Sequence, residues 1–236
     1  MRIQGLQKLT LLDYPGKMAC TVFTAGCNFR CPFCHNASLV EREGSERPIE
    51  EQEFFSFLKK RRGILEGVCV TGGEPLLQAD IAEFLARVKE LGYLVKLDTN
   101  GSFPEKLRSL TEAGLLDYVA MDIKNSPEKY AATAGLQDGG SGAILLERVR
   151  ESASYLLEKH VDYEFRTTVV RELHEEQDFL RIGEWLQGAE RYFLQGFVDS
   201  GDLICQGLHG YTAEEMRQFC KLIEDKVPSV QVRGVD

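Results

Sequence analysis

Cys27, Cys31 and Cys34 lie within one eight-residue stretch, Cys27-Asn28-Phe29-Arg30-Cys31-Pro32-Phe33-Cys34. Three thiolates at that spacing can converge on one side of a compact loop, where they would be soft ligands for zinc or iron. A structural zinc ion normally takes four protein ligands, and His35, the nearest fourth, adjoins Cys34 too directly to serve easily. A ferredoxin-type cluster also takes four cysteines, and no fourth stands at a familiar spacing. Three ligands on a four-iron cluster would leave one iron open to a substrate. The blander alternative is a redox pair at Cys31 and Cys34 with a spare thiol, which leaves Cys27 unexplained.

The other polar groups suited to chemistry come just after apolar, β-branched stretches. Gly72-Gly73-Glu74-Pro75 follows one such stretch, Asp98-Thr99-Asn100-Gly101 the next, and Asp122 and Lys124 a third, while Arg166 lies within a fourth. In parallel α/β folds, sites assemble at the carboxyl ends of the strands.

The stretches Ala19–Thr24, Gly67–Thr71, Tyr93–Asp98, Tyr118–Ile123, Tyr163–Val170, Tyr192–Phe197 and Val230–Val232 read as short buried strands. Segments with helical spacing alternate with them: Glu51–Arg61, Ile81–Leu91, Leu145–Lys159, Glu175–Gln187 and Ala213–Lys226. This alternation predicts an α/β fold with a parallel sheet covered by helices. The candidate linkers, Glu41–Arg47 and Gly135–Gly142, are too short to separate independent domains, so one domain over residues 1–236 is expected. Gly139-Gly140-Ser141-Gly142 follows no strand and reads as a surface loop, not a phosphate loop.

Composition bounds the function classes. With 43% hydrophobic residues among 236, the chain can bury a sizeable core. Twenty-eight basic against 37 acidic residues give a formal charge of −9, which disfavours general binding of nucleic acid. No apolar run approaches the roughly 20 residues of a membrane span. Met1-Arg2-Ile3-Gln4 opens no signal peptide, so the expected address is the cytoplasm, without membrane association. Seven cysteines make a poor disulfide framework in such a chain, and Cys20, Cys69, Cys205 and Cys220 read as buried small hydrophobes.

The loop carrying Cys27, Cys31, Phe33 and Cys34 resembles the signature of the radical S-adenosylmethionine (SAM) superfamily, and Gly72-Gly73-Glu74-Pro75 resembles that superfamily's second motif. Leu11-Leu12-Asp13-Tyr14-Pro15-Gly16-Lys17, the run Thr21–Asn36, Asp98-Thr99-Asn100-Gly101 and Met121-Asp122-Ile123-Lys124 are similar to segments of glycyl-radical-enzyme activating proteins. Within that group the similarity is greatest to activators of anaerobic ribonucleoside-triphosphate reductase. It spans roughly residues 5 to 200.

The resemblance implies a radical SAM fold, a partial (β/α)6 TIM-type barrel with its core at about residues 18–200. It implies one [4Fe-4S] cluster on Cys27, Cys31 and Cys34, with SAM on the remaining iron. SAM contacts would fall at Phe33, His35, Gly72, Gly73, Glu74, Pro75, Asp98, Asn100, Asp122, Lys124 and Arg166. Asp98, Thr99 and Asp122 are also candidates for holding a monovalent cation. No side chain is assigned acid–base or nucleophilic work, because the cofactors carry the chemistry. The implied partners are a glycyl radical enzyme as protein substrate and an external flavodoxin or ferredoxin as electron donor. Two alternatives stand beside this: a small-molecule radical SAM enzyme resembling 7-carboxy-7-deazaguanine synthase, and a non-catalytic iron–sulfur or zinc-binding module.

Overall fold

Short strands rich in β-branched residues alternate with helices that bury one apolar stripe, and the chain closes into an α/β fold. The computed structural model describes residues 1–40, 47–136, 141–199 and 201–235. The strands are β1 Ile3–Thr10, β2 Ala19–Thr24, β3 Gly67–Gly72, β4 Leu94–Thr99, β5 Tyr118–Asp122, β6 Asp162–Val169, β7 Tyr192–Gly196 and β8 Val230–Arg233. The helices are α1 Ala37–Val40, α2 Glu51–Lys60, α3 Ile81–Glu90, α4 Pro104–Glu112, α5 Tyr130–Thr133, α6 Ser141–Leu157, α7 Glu176–Trp185 and α8 Ala213–Ile223. Strand order in the sheet is consecutive, β1 to β8. It has no point at which the winding reverses, so it is the winding of a TIM-type barrel and not of a doubly wound sheet.

All seven expected strands form, within a residue or two of their expected ends. Besides the four-residue helices α1 and α5, two longer elements go beyond the expectation. β1 was not anticipated, and it pairs antiparallel with β2, so the sheet is mostly and not wholly parallel. Its Gln7 and Lys8 face solvent, which breaks the apolar pattern that marks the other strands. Helix α4 buries only a narrow stripe through Leu107 and Leu110, too thin a signal among charged neighbours. Of the expected linkers, residues 41–46 and 137–140 lie outside the described residues.

Contacts group the chain into two compact units: Met1–Asn28, Ser38–Thr99 and Glu105–Ala120 in the first, Phe29–Ala37, Asn100–Pro104 and Met121–Asp236 in the second. In the first unit, β2–β3 and β3–β4 are parallel pairs. Helix α2 has Glu51 and Glu53 in its first turn and Lys59 and Lys60 in its last, charges that complement the helix dipole. Its Phe54 and Phe55 pack on Phe84 of α3, with ring centroids 5.4 and 5.3 Å away. Removal of one such ring would cost about 3–5 kcal/mol. The Leu11–Lys17 segment also finds its physical role here. The Tyr14 ring packs at a tilt against Tyr118, centroids 6.0 Å apart, and a side chain at Gly67 would collide with the Tyr14 ring at 2.8 Å.

In the second unit, β6–β7 and β7–β8 are parallel. Helices α7 and α8 each begin with a capping box, Glu175 with Asp178 and Thr212 with Glu215. They meet through Phe179 and Phe219, stacked at 4.4 Å. Arg233 on β8 reaches across to buried Glu164 on β6 with two N–H donors at 3.1 Å, which ties down the last strand. Among the described residues no helix is long and apolar enough to cross a membrane.

Candidate cofactor-binding site

In the first unit, Gly72 and Gly73 leave the end of β3 against the backbone that leads into Cys27. The Gly73 N–H donates to the Thr24 carbonyl at 2.9 Å and the Glu74 N–H to the Gly26 carbonyl at 2.8 Å. A Cβ on Gly73 would fall 2.0 Å from the Gly26 oxygen; on Gly72, whose φ is +117°, it would fall 2.3 Å from the Thr24 nitrogen. The glycines are therefore required by the approach of two backbones, whatever else they contact. Glu74 is fully buried and its carboxylate is spent internally. It accepts from the Leu76 N–H at 3.0 Å, capping the turn that Pro75 starts, and from the Thr99 hydroxyl at 2.9 Å. Asp98, at the end of β4, forms an ion pair with Lys96 of the same strand.

Cys31, Cys34, Phe33 and His35 belong to the second unit. The Cys34 N–H donates to the Cys31 carbonyl at 3.1 Å, so the loop turns tightly between these two ligands. The Phe33 ring is buried, edge-on to His174 at 6.4 Å and 6.0 Å from the Lys124 ammonium. His35 is exposed and stacks on Phe197 at 5.5 Å. The Asn100 carboxamide oxygen accepts from the Ser102 N–H at 3.0 Å and closes an Asx-type turn after β4. The loop is braced from behind, because the Arg30 N–H donates to the Ala134 carbonyl at 2.9 Å.

Asp122 at the end of β5 accepts from Lys124 Nζ and from Arg166 of β6, each at 3.0 Å. Burial raises the carboxyl's pKa, but Arg166 and then Lys124 outweigh it and hold the group at about 2. Burial disfavours the Lys124 cation, yet Asp122 and Cys31 beside it keep it charged. A fixed cation thus stands near a thiol of the loop. His174 was not singled out in the sequence. It is buried, and burial lowers its pKa, so the ring is neutral. Its Nε2 donates to the Lys124 carbonyl at 2.8 Å and its Nδ1 accepts from the Val170 N–H at 3.1 Å, fixing the residue that carries the cation.

The Asp122 geometry has a pH signature. Its folded-state pKa lies below the ordinary 3.8, so its contribution to stability is present above about pH 4 and is lost as pH falls towards 2. In urea titrations of the cluster-free protein, wild type should exceed Asp122→Asn in stability at pH 5, and the gap should narrow between pH 4 and pH 2. A gap independent of pH would exclude this pairing.

Of the remaining cysteines, Cys20 and Cys69 are buried as expected, whereas Cys220 is half-buried and Cys205 exposed. Burial pushes the Cys20 thiol up to about 12 and the Cys220 thiol up to about 11, and raises Cys69 likewise, so none of the three offers a thiolate. Cys205 is not a buried hydrophobe. It is exposed in the irregular segment between β7 and α8, with its N–H donating to the Pro32 carbonyl at 3.0 Å.

The residues present suit an iron–sulfur cluster. None of Cys27, Cys31 and Cys34 is in a disulfide, and Cys31 is buried beside Lys124. Among the described residues no three His, Cys, Asp or Glu side chains close on one point, as ligands of a single ion would. Ligands of a multi-iron cluster bind separate irons and need not do so.

Comparison with known proteins gives concordant results. The family model described as the radical SAM superfamily matches residues 21–186. A Methanocaldococcus jannaschii protein named for glycyl-radical enzyme activation is 29% identical over 99% of this chain and 96% of its own. The pyruvate formate-lyase 1-activating enzyme of Escherichia coli is 28% identical over 78% of this chain and 74% of its own. Among solved structures, Streptococcus suis SuiB bound to its precursor peptide SuiA superposes with a TM-score of 0.70 at 14% identity, over 91% of this chain. At that identity the likeness concerns the fold alone. The chain spans about half the length of SuiB, 48%.

Proposed function

The chain belongs to the radical SAM superfamily of enzymes, which work with a [4Fe-4S] cluster and SAM, and we propose that it is an activating enzyme that generates a glycyl radical on a partner protein. The observation that carries this reading is the extent of similarity to the M. jannaschii protein: the two chains match almost end to end, not over the shared motifs alone. When bound, the cluster and SAM supply a one-electron reductive cleavage that yields the 5′-deoxyadenosyl radical. Cys27, Cys31 and Cys34 would hold the cluster. The backbone of Gly72, Gly73 and Glu74 would accept hydrogen bonds from the SAM amino group. Lys124 and Arg166 would supply donors and positive charge for the carboxylate or ribose. Because the Phe33 ring is engaged with His174, contact between that residue and the adenine would run through its backbone.

Two finer readings rest on the sequence resemblance. We take the partner to be anaerobic ribonucleoside-triphosphate reductase, from the Leu11–Lys17 segment and the run that follows it. We take the electron donor to be an external flavodoxin or ferredoxin, because the stretch from Cys34 to Cys69 carries no further cysteines for a second cluster.

Hydrogen abstraction requires the target carbon in near contact with the 5′ carbon, so the partner must deliver its glycine on a loop. The test uses a partner deuterated at the glycine α carbon, with unlabelled SAM and the reduced enzyme. Deuterium should appear in 5′-deoxyadenosine, together with a glycyl radical signal in electron paramagnetic resonance. Transfer from a small metabolite instead, with every glycyl radical enzyme of the source organism inert, would overturn the proposal.

A further inference from the structure

Strands β6 and β7 of the second unit present two unlike faces. The face carrying Phe165, Thr167, Tyr192 and Leu194 is buried, with the Thr167 and Tyr192 hydroxyls hydrogen-bonded at 2.7 Å. Alternate residues point the other way, so Arg166 and Thr168 of β6 share a side with Phe193 and Gln195 of β7. Parallel register sets Arg166 beside Phe193, and Thr168 beside Gln195, which in turn lies beside Arg233 of β8. The cations on this face are engaged. Arg166 meets Asp122 at 3.0 Å, and Arg233, its guanidinium carbon 3.3 Å from the centre of the Phe193 ring, meets Glu164 at 3.1 Å.

Thr168 and Gln195 differ from them. Both are half-buried, and neither side chain has a hydrogen-bond partner among the described residues. They stand near the carboxyl ends of their strands, where sites in such folds assemble, and Thr168 comes one alternation beyond Arg166. Two idle polar side chains thus adjoin the Asp122–Arg166 pair.

We propose that Thr168 and Gln195 bind the main chain of the partner's glycine-bearing segment and so set specificity for an extended peptide, an inference that rests on the activating-enzyme reading above. The occupant follows from the chemistry of this shelf. A carboxamide offers an acceptor and two donors, which complement the N–H and C=O of a peptide group, and a hydroxyl both donates and accepts. Glycine has no side chain to recognise, so its segment must be read through main-chain groups. Because both flanking arginines already contact carboxylates, the shelf suits an uncharged guest better than an anionic metabolite, whose charge would need a counter-charge. Continuity with the Asp122–Arg166 pair carries the bound segment up to the place assigned to the SAM carboxylate or ribose.

The test is equilibrium binding to cluster-loaded, SAM-bound protein kept oxidised so that nothing turns over. The probe is a short fluorescent peptide centred on the glycine of a glycyl radical enzyme from the source organism, compared with analogues in which an ester replaces each amide in turn. Wild type should bind at least one ester analogue about tenfold more weakly than the amide peptide, the scale of one hydrogen bond. Gln195→Leu should bind the amide peptide about tenfold more weakly and no longer distinguish that ester, with a smaller loss in Thr168→Val. In deuterium transfer from the whole partner, both variants should raise KM more than they lower kcat. A wild type that binds no such peptide, or binds the amide and every ester equally, would overturn the inference, and neither comparison needs a variant to fold. So would a Gln195→Leu protein that discriminates as wild type does. Any of these results with deuterium still passing from the partner leaves the activating-enzyme reading in place, whereas loss of that transfer in wild type strikes the reading itself.

Discussion

Cys31→Ala should bind no [4Fe-4S] cluster and cleave no SAM above background. Cys31 is the most buried of the three loop cysteines and the one beside the Lys124 ammonium, so no neighbouring group can take its place. Loss of an outer partner of a metal ligand already costs about 10- to 100-fold, and loss of the ligand itself should exceed that. Iron and sulfide per chain after anaerobic reconstitution, with chromatography of 5′-deoxyadenosine, check the result. Cys220→Ala is the matched control. Its thiol is held protonated by burial, and the variant should keep both iron and turnover. Normal cleavage by a Cys31→Ala protein shown to lack iron would end the assignment.

Gly73→Ala should be more damaging than any substitution of a solvent-facing glycine. The new methyl would arrive 2.0 Å from the Gly26 carbonyl oxygen and 2.6 Å from its carbon, and neither atom belongs to a side chain that can swing away. The backbone must part, which breaks the Glu74 N–H bond to Gly26 and shifts the residue preceding Cys27. Overpacking of this kind costs about 3 kcal/mol or more. By contrast, Gly114 has a φ of +66° and nothing within 4 Å of a new Cβ. Gly114→Ala should cost only the strain of a left-handed residue, about 1–2 kcal/mol. Urea unfolding of the two cluster-free variants measures the difference, and reconstitution shows whether only Gly73→Ala loses iron. Equal losses of stability would mean that the two backbones are not locked together at Gly73.

The difference between these glycines marks the boundary of what the sequence discloses. Candidate ligand chemistry was legible directly: three thiols at that spacing are candidate metal ligands whatever the fold, and Gly-Gly-Glu-Pro after a β-branched run signals a constrained strand end. The seven strands were legible because burial on both faces leaves near-continuous apolar runs. β1 was not, since an antiparallel edge strand with one face in water carries polar residues that obscure it. The capping boxes of α7 and α8 are local and stand in the sequence, whereas the start of α6 at Ser141, four residues ahead of the expected Leu145, does not.

Tertiary structure alone decided the pairings. Nothing in Val95-Lys96-Leu97-Asp98 says that the lysine turns inward, because an alternating strand is equally compatible with a lysine in solvent; strand register beside Cys69 settles it. His174 lies in a charged segment, Glu172-Leu173-His174-Glu175, with no motif around it, and only the return of the chain after β6 brings it under the Lys124 carbonyl. Asp122, Lys124 and Arg166 could be named from sequence as charged groups near strand ends. That one carboxylate, Asp122, is shared by both cations is a matter of geometry between residues up to 44 apart in the chain. Residue type and local spacing determine which atoms can ligate, cap or bend, since those properties travel with a few adjacent residues. Which charges are compensated, and by whom, depends on distances of a few ångströms between remote segments, and those distances exist only once the chain has folded.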